Sequence, residues 1–138
     1  MNPGCIVLDA NIAFKSLCTG RGKIRRRISP DSHLKFCCPR FLFVELFKHK
    51  ERLARASGLT EADLVAGLHE LVSQLEFVNE AEIPFGTWME AYRLCKGIDT
   101  DDTPYVALAL HLDCQFWTED AKLKTALQAR GFDRFLEP

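Results

Sequence analysis

No stretch of this chain is apolar over the length needed to cross a bilayer, so no membrane-spanning helix is expected. Neither sign of charge is in excess: Lys+Arg number 18 against Asp+Glu 19, a formal net charge of −1. That balance neither implies nor excludes a polyanionic partner, because distribution matters more than the sum. Internal repeats, low-complexity tracts and linkers are missing, and 138 residues without them suit one domain with its own core. None of the six cysteines pairs at C-x-x-C spacing, which excludes a zinc knuckle or a thioredoxin-type motif. No secretory leader precedes the first apolar run, so reduced and mostly buried thiols in the cytoplasm are expected. His33, His49, His69 and His111 are scattered without metal-site spacing and read as structural or surface residues.

What is there alternates between short apolar runs and longer helical stretches. Cys5-Ile6-Val7-Leu8 and Leu34 to Cys38 are bounded by polar or turn residues and do not alternate cleanly. That pattern suits strands covered on both faces, as in a parallel sheet. Leu75 to Val78, Cys114 to Trp117 and Arg134 to Leu136 are weaker strand candidates. Helices are expected over Asn11–Leu17, over Arg40–Ser57 closing at Gly58, and from a Thr60 cap to about Gln74. Thr87 is positioned to cap a helix whose Trp88, Tyr92 and Cys95 form a core stripe. Pro104 suits the first turn of the next helix, and Asp120 the start of the last. Such alternation predicts an α/β fold, with a parallel sheet and helices on both faces.

Ligands of such sheets bind beyond the carboxyl ends of the strands. Asp9 directly ends the first apolar run, where burial of an acid is costly unless it is paired or metal-bound. Asp120 follows a strand and Asp102 precedes a helix, so both also serve as helix caps or first-turn acids. Glu45 shares a helix side with Lys48, His49 and Arg52, opposite Phe43, Phe47 and Ala54. Periodicity alone assigns it to solvent.

Four segments occur in order: Val7-Leu8-Asp9-Ala10-Asn11, Phe43-Val44-Glu45-Leu46, Asp99 through Ala109 with Asp102-Thr103-Pro104-Tyr105 at its centre, and Trp117-Thr118-Glu119-Asp120. Together they resemble the four acidic motifs of the PIN-domain family, which includes the VapC-like toxins of toxin–antitoxin pairs. The resemblance implies a three-layer α/β/α domain with a central five-stranded parallel sheet. It also implies a metal-dependent endoribonuclease in which Asp9, Glu45, Asp102 and Asp120 are catalytic and hold Mg²⁺ or Mn²⁺. Asp99 is a further acid at the rim of that site, and Asn11 and Thr118 match its supporting polar neighbours. Glu119 departs from the small or polar residue usual at its position.

The chemistry suits the donors. Two carboxylates about 4 Å apart repel by roughly 4 kcal/mol at an effective dielectric of 20. Gathered acids therefore call for hard cations, which activate water and offset phosphate charge. An RNA strand also needs positive charge. Arg21, Lys23, Arg25, Arg26 and Arg27 form the only charge run, with a solvated loop as its bland alternative, and Lys48 and Arg52 flank Glu45. RNA, an antitoxin protein and a second copy of the chain are the partners this reading implies. An RNA-processing or DNA-directed nuclease of the same fold, or a non-catalytic binding domain, remains open.

Overall fold

A computed structural model describes residues 3–19, 22–28 and 32–137. Its strands are β1 (Cys5–Leu8), β2 (Lys35–Pro39), β3 (Glu76–Val78) and β4 (Gln115–Trp117). The helices are α1 (Ala10–Thr19), α2 (Lys23–Arg27), α3 (Phe41–Ser57), α4 (Glu61–Gln74), α5 (Phe85–Cys95), α6 (Thr103–Leu112) and α7 (Ala121–Ala129). The strands form one sheet in the order β3-β2-β1-β4, and every pairing is parallel. Ile6 is aligned with Phe36 on one side and Gln115 on the other, which places β1 at the centre. β1 is buried at all four residues, as its unbroken apolar run predicts.

The sheet has four strands where five were expected. Arg134–Leu136 meets β4 only through a parallel bridge between Phe116 and Phe135. The Phe116 N–H donates to the Arg134 carbonyl at 2.8 Å, and the Leu136 N–H to the Phe116 carbonyl at 3.0 Å. β4 spans only Gln115–Trp117, so a single residue is left to pair on that edge.

α1 packs against α2, α3 and α4, whereas α5 packs against α6 and α7. α6 lies across β1, β2 and β4, and its small Ala107 and Ala109 are fully buried. Expected caps recur: Gly58 ends α3 at φ 70°, and Thr60 and Asp63 form a reciprocal capping box ahead of α4. α5, however, begins at Phe85 and not at Thr87. The Pro84 carbonyl accepts from Thr87 at 3.0 Å and Trp88 at 3.2 Å, so the helix is already wound there. Its buried side chains are Ala91, Leu94 and Cys95, while Tyr92 is 46 % exposed and Trp88 half-buried. The expected Trp88-Tyr92-Cys95 core stripe is therefore rotated toward Ala91 and Leu94.

The thiols also differ from expectation. Cys5 and Cys114 are joined as a disulfide across 109 residues of sequence, with Cα atoms 5.4 Å apart. The sheet brings the first residue of β1 beside the residue preceding β4, a proximity that spacing along the chain does not reveal. Cys18, Cys37, Cys38 and Cys95 are free, and all but Cys18 are buried. Among the described residues no helix is long and apolar enough to cross a membrane.

Candidate active site

The chain runs outward from β1 through β2 to β3, then returns through α5 and α6 to place β4 on the other side of β1. The crevice at such a reversal, at the carboxyl ends of the two strands, is where open parallel sheets bind ligands. Asp9 sits there. Its N–H donates to the Trp117 carbonyl at 3.2 Å, so the ends of β1 and β4 are in register at this point.

Asp9 is 2 % exposed. Its Oδ1 accepts from the Ile12 N–H at 2.9 Å, a capping bond at the start of α1. The Thr118 hydroxyl also bonds the Asp9 carboxylate, and Thr118 Oγ1 accepts from the Asp120 N–H at 3.1 Å. Thr118 thus links the Asp9 carboxylate to the backbone of Asp120. Burial pushes the Asp9 carboxyl up to about 6; its Thr118 and Ile12 hydrogen bonds pull it back in part, and the Asp120 charge adds to the rise.

Asp120 is exposed and caps α7, its Oδ1 accepting from the Leu123 N–H at 3.1 Å. Asp102 precedes α6 without a side-chain capping bond, so its carboxylate has no local helical task. Burial raises it to about 8, reinforced in turn by the charges of Asp99, Asp9, Glu45 and Asp120. Asp99 is exposed and accepts from the Asp101 N–H at 3.0 Å, capping the 3-10 turn Thr100–Asp102.

Glu45 lies on α3 and is half-buried, against the solvent position that periodicity assigns it. Its Oε1 accepts from the Tyr105 hydroxyl at 2.5 Å. Burial raises its carboxyl; the Tyr105 bond lowers it, the Asp101 and Asp99 charges raise it, and Lys48 lowers it. Six acids from four separate segments are therefore linked electrostatically: Asp9, Glu45, Asp99, Asp101, Asp102 and Asp120. Sequence reasoning gave Tyr105 no role. The signal was its place three residues after Asp102, one turn along the same helix.

As placed, no three His, Cys, Asp or Glu side chains among the described residues form a group that could hold an ion. Whether a divalent cation fits is a question of donor chemistry. The acids offer hard oxygen donors, and burial together with neighbouring carboxylates raises Asp9 and Asp102, a penalty that a bound cation would offset. The donor set suits a hard divalent cation.

The basic residues are spread unevenly around these acids. Arg52 lines a cavity of about 420 Å³ with Asn11, Lys15, Glu119 and Asp120. Lys15 pairs with Glu119 at 3.0 Å. Lys48 is exposed on α3 near Glu45. The arginine run is helical, forming α2, and not a loop. Within it Arg25 pairs with Glu70 of α4 and donates to the Ser16 carbonyl at 3.4 Å. Arg27 lies over the Trp117 ring at 5.5 Å and donates to the Glu137 carbonyl at 2.7 Å. Lys23 and Arg26 are exposed, and Arg21 lies outside the described residues.

No curated protein matches the chain. Among solved structures, it is similar to a chain in the crystal structure of VapBC2 from Rickettsia felis bound to a DNA fragment from their promoter. The TM-score is 0.70 at 13 % identity, covering 96 % of this chain and 97 % of that one. At that identity the likeness establishes the fold. A family model of the PIN domain matches residues 7–135. The match runs from the strand that carries Asp9 to the bridge that extends β4, and the chain belongs to the PIN-domain family.

Proposed function

We propose that this chain is a metal-dependent endoribonuclease acting in the cytoplasm, the toxin of a toxin–antitoxin pair. The observation that carries the reading is the convergence of Asp9, Glu45, Asp102 and Asp120 at the reversal of the sheet, where burial and neighbouring carboxylates raise the Asp9 and Asp102 carboxyls. Asp9, Asp102 and Asp120 would hold Mg²⁺ or Mn²⁺, with Glu45 as a further ligand and Asp99 at the rim. A cation held there would activate water and offset charge on the scissile phosphate. Glu45 would hold the attacking water through the oxygen that Tyr105 leaves available, or ligate a second ion. Thr118 keeps Asp9 and Asp120 in register, and Asn11 lines the adjoining cavity. Lys48, Arg52, Lys23 and Arg26 supply the positive charge that an RNA backbone requires.

Membership in the PIN-domain family supports a nuclease, and the likeness to a VapBC2 chain supports an antitoxin partner. An exposed apolar stripe on α5, Phe85, Met89 and Tyr92, supports a homodimer. The test is cleavage of a panel of structured RNAs, with matched DNA strands, in Mg²⁺ or Mn²⁺. Chelator and Asp9→Asn are expected to abolish cleavage of RNA, the variant by roughly a hundredfold or more. Cleavage that persists in both controls, or that falls on DNA alone, overturns the reading.

A further inference from the structure

Tyr105 is fully buried, and its ring meets Phe41 edge-on at 6.5 Å between centroids. A phenylalanine would fill that space equally well. A buried phenolic hydroxyl is costly unless it is bonded, so its presence needs a partner that justifies it. Here the partner is not a backbone carbonyl. It is Oε1 of Glu45, 60 residues away in sequence and 2.5 Å away in space.

The placement of this bond is specific. Asp102 precedes α6 and Tyr105 lies three residues on, one turn into the helix and on the same side. One helix thus carries the third acid and the donor that grips the second. α6 is sealed against β1 and β2, so the hydroxyl stands on a fully buried base. Glu45, by contrast, has three rotatable side-chain bonds and stands on α3 next to exposed Val44. Among the described residues its side chain accepts a hydrogen bond only from Tyr105, while Lys48 of its own helix acts on it through charge.

The geometry points to Tyr105 as the positioning residue of the site: its hydroxyl locks Glu45 Oε1 to α6, sets Glu45 in register with Asp102, and leaves Oε2 as the oxygen that serves substrate or ion. The inference rests on the nuclease reading above and extends it to a residue that carries no charge. Tyr105 touches neither substrate nor ion; it acts through Glu45.

Tyr105→Phe keeps the ring and removes one oxygen. On RNA, kcat is expected to fall about ten- to a hundredfold, the scale of losing an orienting outer partner, with KM little changed. In a Glu45→Ala background the same change is expected to have no further effect, because the group it positions is gone. A crystal structure of Tyr105→Phe is expected to show Glu45 in another rotamer with α3 and α6 unmoved, and thermal melting checks that the variant folds. Equal kcat in wild type and Tyr105→Phe, an additive loss in the double variant, or an unmoved Glu45 each overturns the inference. If the wild type cleaves no RNA, the nuclease reading fails. The crystal structure still decides whether Tyr105 holds Glu45.

Discussion

At the scale of single residues, the burial of carboxylates beside one another is the property that sets this site apart. Asp9 is held at about 6 and Asp102 at about 8, against an ordinary value of 3.8. Between those values the folded chain binds more protons than the unfolded one, so stability falls as pH rises from about 4 through about 8. In chelator, the melting temperature is therefore expected to decline from about pH 5 to about pH 8.5, and excess Mn²⁺ should flatten the decline. A flat or rising profile in chelator would contradict the burial of these two acids. The same reasoning predicts an unusual variant. Asp9→Asn keeps the oxygen that accepts from Ile12 and removes a buried charge. It should melt no lower than wild type at alkaline pH without metal, while losing activity. A marked drop in its melting temperature would mean that Asp9 is retained for structure.

At the scale of elements, α2 and α3 show what local pattern conveys and what it does not. The arginines of α2 look alike in sequence but are engaged differently. Arg25 ties α2 to α4 and α1 through Glu70 and Ser16, with a side chain only 11 % exposed, whereas Arg26 is exposed. Arg25→Ala is expected to lower stability by about 1–2 kcal/mol, the scale of a charge-assisted bond at a part-buried site. Arg26→Ala should leave stability alone and reduce RNA affinity and its salt dependence. Filter binding at several salt concentrations and urea melts of both variants would check this; interchanged phenotypes would overturn it. α3 misleads for a different reason. Its apolar residues are divided between core and solvent: Leu42, Leu46 and Leu53 are buried, yet Phe47 is 66 % exposed. A helix with apolar residues on two sides does not indicate which one faces inward. Periodicity took Phe47 as inward and so turned Glu45 outward.

At the scale of the whole molecule, strand order is decisive. Because β4 returns to the far side of β1, residues 9 and 117 to 120 meet, and α6 brings Asp102 and Tyr105 to the same edge. The outer surface carries its own signal in α5. Phe85 is 78 % exposed and Met89 54 %, on one side with Tyr92 at i, i+4 and i+7. An apolar stripe of that kind marks an interaction surface. Sedimentation of the purified chain is expected to show a dimer, and Met89→Glu is expected to shift it to monomer without loss of fold. A wild type that is monomeric at all accessible concentrations would exclude self-association through α5.

Much was legible in the chain itself. The apolar runs of β1 and β2, the Gly58 and Thr60 boundaries of α3 and α4, and the Asp120 cap of α7 all follow from interactions within a few residues. Such interactions leave a local signature. Membership in the family was legible too, through four acidic motifs in register. Only tertiary structure decided that Glu45 faces Tyr105, that Arg25 is a strut, that Cys5 meets Cys114, and that the fifth strand shrinks to one bridge. Each depends on which distant segment lies alongside, and that is set by strand order and helix packing. Neighbouring residues fix where a helix begins; only the assembled sheet fixes which carboxylates share a crevice.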